Sequence, residues 1–202
     1  MSEPTRQRFQ NKVVLVTGGS AGIGLATAQA FAAEGARVMI AARRADVGEA
    51  AAAAIRKSGG EARFVATDMR DAASIRAMVE STVAAYGGLD VAFNNAGTTG
   101  DTATPIFDAN EETFDEVIAV NVRGVGLATK HEFKAMLRRG GGAIVICGSA
   151  AGIRGGAGRA SAYYTSKHAL MGLLKQAVLF LASDDSSFIT GVGLAVDGGT
   201  VI

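Results

Sequence analysis

The chain has 202 residues, with 20 Lys and Arg against 19 Asp and Glu, for a formal net charge of +1. That balance excludes a strongly basic nucleic-acid binder and an acidic disordered tail, and a composition 49% hydrophobic and 19% charged is that of a globular chain long enough to bury a core. Glycine stands out at 27 residues, about 13% against roughly 7% in average usage, beside only two prolines, which points to tight turns rather than collagen or a linker.

In chain order, short apolar runs alternate with longer helical stretches. Val13–Val16 precedes an Ala-rich helix that ends near Glu34-Gly35, and Arg37–Ile40 precedes a second helix stopped by Gly59-Gly60. Ala62–Thr67 leads to a third helix over Ala72–Tyr86, and Leu89–Phe93 to a loop and a helical region from Glu111 to Arg138. Ala143–Cys147 is followed by a Gly-rich loop and a helix from about Ser161, and Val192–Val196 reads as a last strand closed by Asp197-Gly198-Gly199. Runs this apolar are buried on both faces, as in a parallel sheet covered by helices. Repeated βα units give an α/β fold, a Rossmann-like doubly wound parallel sheet flanked by helices, as a single domain over residues 1–202.

Cys147 is the lone cysteine and calls for no oxidising compartment. The polar first residues have no apolar segment of the signal-peptide kind. The apolar run Ala169–Ala182 is broken by Lys175 and Gln176 and falls short of the ~20 residues that span a bilayer. The expectation is a cytoplasmic protein with no membrane and no nucleic-acid partner. His131 and His168 lack metal-ligand partners at useful spacing, so no metal site is expected. Asp184-Asp185 reads as a solvated helix end.

After the first strand comes Thr17-Gly18-Gly19-Ser20-Ala21-Gly22-Ile23-Gly24. Placed between a strand and a helix, it would rest a pyrophosphate on free amides at the helix N-terminus. Gly18 turns tightly, Gly22 lets backbone approach phosphate, and Gly24 allows close helix–strand packing. Its G-x-x-x-G-x-G spacing resembles the short-chain dehydrogenase/reductase family. The resemblance extends through Asp68, Asn94-Asn95-Ala96-Gly97, Asn121, Ser149, Tyr163-x-x-x-Lys167 and Val196-Asp197-Gly198-Gly199.

The resemblance implies an oxidoreductase that transfers hydride between a nicotinamide nucleotide and a small carbonyl or secondary-alcohol substrate. The cofactor residues it implies are Gly18, Ser20, Gly22, Ile23, Gly24, Asp68, Met69, Asn95, Ala96 and Gly97, with Tyr163 and Lys167 shared with the chemistry. At the end of the second strand, Ala42 stands where NAD-preferring relatives place an acid, and Arg43 and Arg44 follow. Guanidinium groups there would grip a 2′-phosphate, so NADP(H) is the expected cofactor and NAD(H) the alternative. The competing reading leaves both arginines as solvated charges before a helix, with Asp46 as its N-cap.

Tyrosine is a poor base at neutral pH because its free pKa is about 10, and a nearby ammonium favours tyrosinate. Tyr163 and Lys167 are i, i+4 on a predicted helix and share a face, so Tyr163 is expected as general acid/base with Lys167 lowering its pKa. Ser149 would polarise the substrate oxygen, and the resemblance gives Asn121 a water in the proton relay. Tyr164, three residues before Lys167, is the competing phenol, and Ser149 precedes Tyr163 by 14 residues, one more than the family pattern leads us to expect.

The family runs a further strand and a substrate loop after the tyrosine helix. Here Leu173-Leu174-Lys175-Gln176 passes directly into Ala177-Val178-Leu179-Phe180-Leu181-Ala182-Ser183, an apparent deletion near residues 175–177. Three readings stand: an enzyme whose loop is missing from this sequence, a truncated nucleotide-binding module without turnover, and an interaction protein using its apolar helices. The resemblance also implies a homodimer or homotetramer, paired through the helices around 111–138 and 161–174.

Overall fold

The computed structural model describes residues 7–155 and 158–181, the last eight by backbone alone. The expected strand Val192–Val196, its Asp197-Gly198-Gly199 turn and Asp184-Asp185 lie outside these residues.

Among the described residues, five strands form one parallel sheet in the order β3-β2-β1-β4-β5. They are β1 (Val13–Thr17), β2 (Arg37–Ala42), β3 (Glu61–Ala66), β4 (Val91–Asn94) and β5 (Ala143–Ile146). The helices are α1 (Gly22–Ala33), α2 (Ala45–Lys57), α3 (Ala72–Tyr86), α4 (Glu111–Ile118), α5 (Val125–Leu137) and α6 (Ser161–Leu181). This is the doubly wound arrangement expected from the alternation of apolar runs and helices. It reverses direction between β1 and β4, where the strand ends of such sheets bind ligands.

The described chain gathers into two compact units, one of residues 7–96 and 127–147, the other of residues 97–126, 148–155 and 158–181. The first holds all five of the described strands. Alternation along β1 sends Val14 and Val16 into one core with Ala28 and Ala32 of α1, Val38 and Ile40 of β2, and Ala52 and Ile55 of α2. The small alanines let the helices lie close on the strands. Asp90 ties the opening of β1 to this unit: its Oδ2 accepts from Val13 N at 2.8 Å and its Oδ1 from Arg139 Nε at 2.9 Å.

The expectation that Asp46 caps α2 is corrected: Arg44 is the N-cap residue and Asp46 lies in the first turn. A carboxylate there still faces the positive end of the helix, which rewards the residue type without the cap position. By contrast, α3 begins on a true side-chain cap, Asp71 accepting from Ala73 N and Ser74 N.

In the second unit, Asn110 caps α4 through Thr113 N. The helical region expected over 111–138 is interrupted by a π-helical turn, Ala119–Gly124. Farther on, α6 runs unbroken through residues 175–177 to Leu181. Its first turn follows Ala160, whose φ of 58° is in the left-handed region.

Candidate functional site

The first unit carries the glycine turn at the C-terminal ends of β1 and β4. Gly18 has φ of 65° and donates its amide to Ala41 O at 2.8 Å. A Cβ on Gly24 would lie 2.4 Å from Gly18 O and 2.6 Å from Asn95 Nδ2, so only glycine lets α1 start this close to the turn. A Cβ on Gly22 would meet nothing within 4 Å; that face of the backbone is open. The N-cap residue Ala21 offers no side-chain acceptor to the first-turn amides of α1, and these are donors suited to an anion. Ser20 is half-buried, and Ile23 is exposed.

Across from this turn, Thr17 Oγ1 accepts from Asn95 N at 3.0 Å and Ala96 N at 3.1 Å, and Asn95 Nδ2 donates to Thr17 O at 3.1 Å. The Asn95-Ala96 turn is thereby fastened to the end of β1. Thr17, singled out in the sequence only as the first letter of the glycine motif, is the hub of that joint.

Arg43 and Arg44 follow β2 and are both exposed. Asp68, beyond β3, holds Arg70: Nη2 reaches Oδ2 at 2.6 Å and Nε reaches Oδ1 at 3.0 Å. The Arg70 guanidinium keeps the Asp68 carboxyl below the usual carboxylate range, and Arg43 adds a smaller pull in the same direction. Arg70 was missed at the sequence level; a cation two residues after the acid was its only signal. Met69 between them is buried.

Gly97 opens the second unit, which brings together Asn121, Ser149, Tyr163 and Lys167. Asn121 stands in the π-helical turn and is buried. Its Nδ2 donates to Thr98 O at 2.8 Å and Ser166 Oγ at 3.0 Å, and its Oδ1 accepts from Thr98 N at 2.9 Å. The side-chain amide therefore has both hydrogens engaged within the protein. Ser166 Oγ in turn donates to Tyr163 O at 2.7 Å. Thr98 and Ser166 are members of this chain that sequence reading missed; a small hydroxyl beside Lys167 gave no signal of its own.

Ser149 caps a 3₁₀ turn, Ala150–Gly152, its Oγ accepting from Ala151 N at 3.2 Å. That bond uses a lone pair and leaves the hydroxyl proton to donate. Tyr163 is half-buried, and Lys167, at 6% exposure, sets its Nζ 5.6 Å from the centroid of the Tyr163 ring. The 3₁₀ turn lies hard against α6: a Cβ on Gly152 would fall 2.7 Å from Lys167 O. His168 points elsewhere, its Nδ1 3.0 Å from Tyr164 O. A shallow depression lined by Asp101, Thr104, Asn110, Thr113, Phe114 and Ser161 does not take in these groups.

Among the described residues no group of three or more His, Cys, Asp and Glu could hold a metal ion. None of the described helices is long and apolar enough to cross a membrane.

The family model for short chain dehydrogenases matches residues 12–188. This chain belongs to the short-chain dehydrogenase family. Among its relatives, (+)-cis,cis-nepetalactol synthase of Nepeta racemosa is 37% identical over 179 residues, 88% of this chain and 66% of the relative. (-)-Isopiperitenol/(-)-carveol dehydrogenase of Mentha piperita is 31% identical over 252 residues, 96% of this chain and 94% of its own length. That match is longer than the 202 residues of this chain, so the relative contains positions with no counterpart here.

Two solved structures share the short-chain dehydrogenase fold closely. NAD+-bound xylitol dehydrogenase superposes with a TM-score of 0.83 at 36% identity, over 87% of this chain and 66% of that one. A short chain dehydrogenase from Burkholderia cenocepacia in complex with NADP superposes with a TM-score of 0.78 at 35% identity, over 86% of this chain and 70% of that one. Structural neighbours thus bind either nicotinamide nucleotide.

Proposed function

We propose that this short-chain dehydrogenase is an NADP(H)-dependent oxidoreductase of a small carbonyl or secondary-alcohol substrate. Tyr163 acts as general acid/base, assisted by Lys167 and Ser149. The observation that carries the reading is the Lys167 ammonium beside the Tyr163 ring, in the unit that also presents the Ser149 hydroxyl. One relative is named a synthase, so the redox reading leans on these side chains rather than on family membership.

The first unit suits a dinucleotide: Gly22 leaves its backbone face open, Ala21 leaves the α1 amides uncapped, and Gly18 and Gly24 bring the helix close. Gly18, Ser20, Gly22, Ile23 and Gly24 would hold the pyrophosphate, and Asp68, Met69, Asn95 and Ala96 the adenosine, with Gly97 next in the chain. Arg43 and Arg44 would hold a 2′-phosphate, with no carboxylate at Ala42 to repel it. When bound, the nicotinamide supplies or accepts the hydride.

In the reduction direction, Ser149 Oγ–H donates to the substrate oxygen and stabilises its growing charge. Tyr163 then delivers its phenolic proton to that oxygen, and the Lys167 ammonium stabilises the phenolate left behind. Alcohol oxidation reverses each step. Because the Asn121 amide is engaged by Thr98 and Ser166, a relay water at this residue would sit on its main-chain carbonyl. Asn121 and Ser166 then fix the turn of α6 that carries Tyr163.

The test is NADPH and NADH consumption with a panel of aldehydes and ketones. Turnover with NADPH in preference to NADH supports the reading; binding of nucleotide without turnover of any carbonyl favours a nucleotide-binding module. That second reading has an observation behind it, the positions of the carveol dehydrogenase that lack a counterpart. We place them near residues 175–177, between the Tyr163–Lys167 motif and Val196-Asp197-Gly198-Gly199, because the motif order is continuous on both sides. Intact mass of the natural protein above that of the 202-residue chain would show an omitted segment, and a matching mass would make the shortening genuine. A cytoplasmic location and a homodimer or homotetramer complete the proposal; fractionation and light scattering check them.

A further inference from the structure

We propose that Glu132 is a positioning residue that keeps its proton and couples to Asn94 as a carboxylic acid–amide pair, clamping the end of β4 from which the Asn95-Ala96 turn departs. Glu132, on α5, is 0% exposed. Its Oε2 accepts from Asn94 Nδ2 at 2.7 Å. The other oxygen of each partner, Glu132 Oε1 and Asn94 Oδ1, is buried with no hydrogen-bond partner, and so is Thr129 Oγ1 one turn earlier on the helix.

As a carboxylate, Glu132 would hold two charged oxygens against a single donor and would face a second acceptor, Asn94 Oδ1. Both conditions are costly in a dry interior. A proton on Oε1 removes the charge and creates the missing donor. An acid and an amide can then exchange two parallel hydrogen bonds, the observed Nδ2–H to Oε2 and a return Oε1–H to Oδ1. One proton thus accounts for two orphaned oxygens at once.

The surroundings agree. Lys130 and Lys134 on the same helix are exposed and His131 is half-buried. At the far side of β4, Asp90 is engaged with Arg139 and Val13, while Cys147 meets Asn94 through its backbone N–H to Asn94 O at 2.9 Å. None of these acts on the Glu132 carboxyl, which burial pushes up to about 8 against a weaker opposing pull from Asn94.

The pair matters because of its place in the chain. Asn94 pairs with Thr17 in the sheet register, and the next two amides are those that bind Thr17 Oγ1. A charge on Glu132 would turn a donor-matched contact into one acceptor facing another, directly behind that joint.

The experiment compares wild-type protein with Glu132→Gln, which keeps the shape and supplies a permanent N–H donor. A group protonated in the folded state and ionised in the unfolded state loses its stabilising effect as pH rises from its unfolded to its folded pKa. The folding equilibrium constant of wild type relative to Glu132→Gln should therefore fall about tenfold per pH unit between roughly 5 and 8, then level off. A ratio independent of pH overturns the proposal.

Infrared difference spectroscopy of the wild type tests it even if the variant fails to fold. The C=O stretch of a protonated carboxylic acid should persist at neutral pH and vanish above about 8; its absence at neutral pH also overturns the proposal. Among the described residues with a shifted carboxyl, Glu34, Asp68 and Asp101 all move the other way, so they do not contribute that band.

A third arm rests on the nucleotide reading of Asn95–Gly97. NADPH affinity should drop severalfold in wild type as pH passes about 8 and stay level in Glu132→Gln, an outcome that a purely structural glutamate would not give. Equal pH profiles in the two proteins would remove the positioning role. Failure of the wild type to bind any nucleotide would sink the cofactor reading alone, with the folding and infrared arms deciding this one.

Discussion

Two glycine-rich segments, residues 18–24 in the first unit and 148–158 in the second, use the same residue in different ways. In the first, Gly18 and Gly24 are where backbone meets backbone: a Cβ on either would press on the other strand end or on Gly18 O itself. In the second, a Cβ on Gly148, Gly155 or Gly158 would meet nothing within 4 Å, whereas one on Gly152 would press on Lys167 O of α6. The first segment is therefore a preset cradle whose shape depends on missing side chains. The second is a looser spacer, and the chemistry proposed for it belongs to the side chains it delivers, Ser149 at one end and Tyr163 beyond the other. A cradle should fail when a methyl group is added, and a spacer should fail when a functional group is removed.

The largest expected effect lies at the spacer end. Tyr163→Phe should lower kcat by about 10²–10⁴, the range for loss of a general acid/base, whereas Tyr164→Phe should leave it near wild type; steady-state NADPH oxidation measures both. The reverse result would move the chemistry to Tyr164 and break the pairing with Lys167.

Next comes the edge of the cradle. Arg43→Ala should reduce the preference for NADPH over NADH by roughly 10–100-fold in kcat/KM, because a charge-assisted contact is worth about 1.5–3 kcal/mol. An unchanged ratio would return Arg43 to a solvated charge.

Smaller still, and aimed at the contrast itself, Gly24→Ala should destabilise the protein by about 1–3 kcal/mol through overpacking and weaken nucleotide binding. Gly155→Ala should do neither; denaturant titration of the pair decides. Smallest is Ala160→Gly just ahead of α6. Relief of the left-handed strain, less the added backbone entropy of glycine, should raise stability by roughly 0.5–1 kcal/mol.

Reading the sequence reached much of this contrast, and the reason is physical. Apolar runs mark strands, so β1 to β5 were legible to within a residue or two; β1 and β2 are buried on both faces as that pattern requires, whereas β3 and β5, at the edges of the described sheet, are partly exposed. The close approach at Gly24 and the Lys167–Tyr163 contact were legible because spacing carries that geometry. Contacts set by tertiary packing were not: nothing local marks Thr17 as the acceptor of two amides, Ser166 as the link between Asn121 and α6, or Glu132 as the partner of Asn94 from 38 residues away. Asp46 resembles a cap in sequence because its residue type is favoured both there and in the first turn, where it lies. The π-helical turn around Asn121 was also invisible, since its composition is that of an ordinary helix.

The order of strands carries a consequence for how the sheet comes together. Val13 pairs with Arg37 and Arg37 with Glu61, successive steps of 24 residues, whereas β1 reaches β4 across 77 residues, from Val14 to Val91. Closing the short loops costs less chain entropy than closing the long one. The expected sequence of events during refolding is that β1, β2 and β3 zip up with α1 and α2 before β4 arrives. Pulse-labelled hydrogen exchange would then find Val38 and Ile40 protected ahead of Ala92 and Phe93, and simultaneous protection would rule that order out. The strand that carries Asn94 is, in this view, a late arrival, so the half of the molecule proposed to hold the nucleotide is completed only after most of its walls already stand.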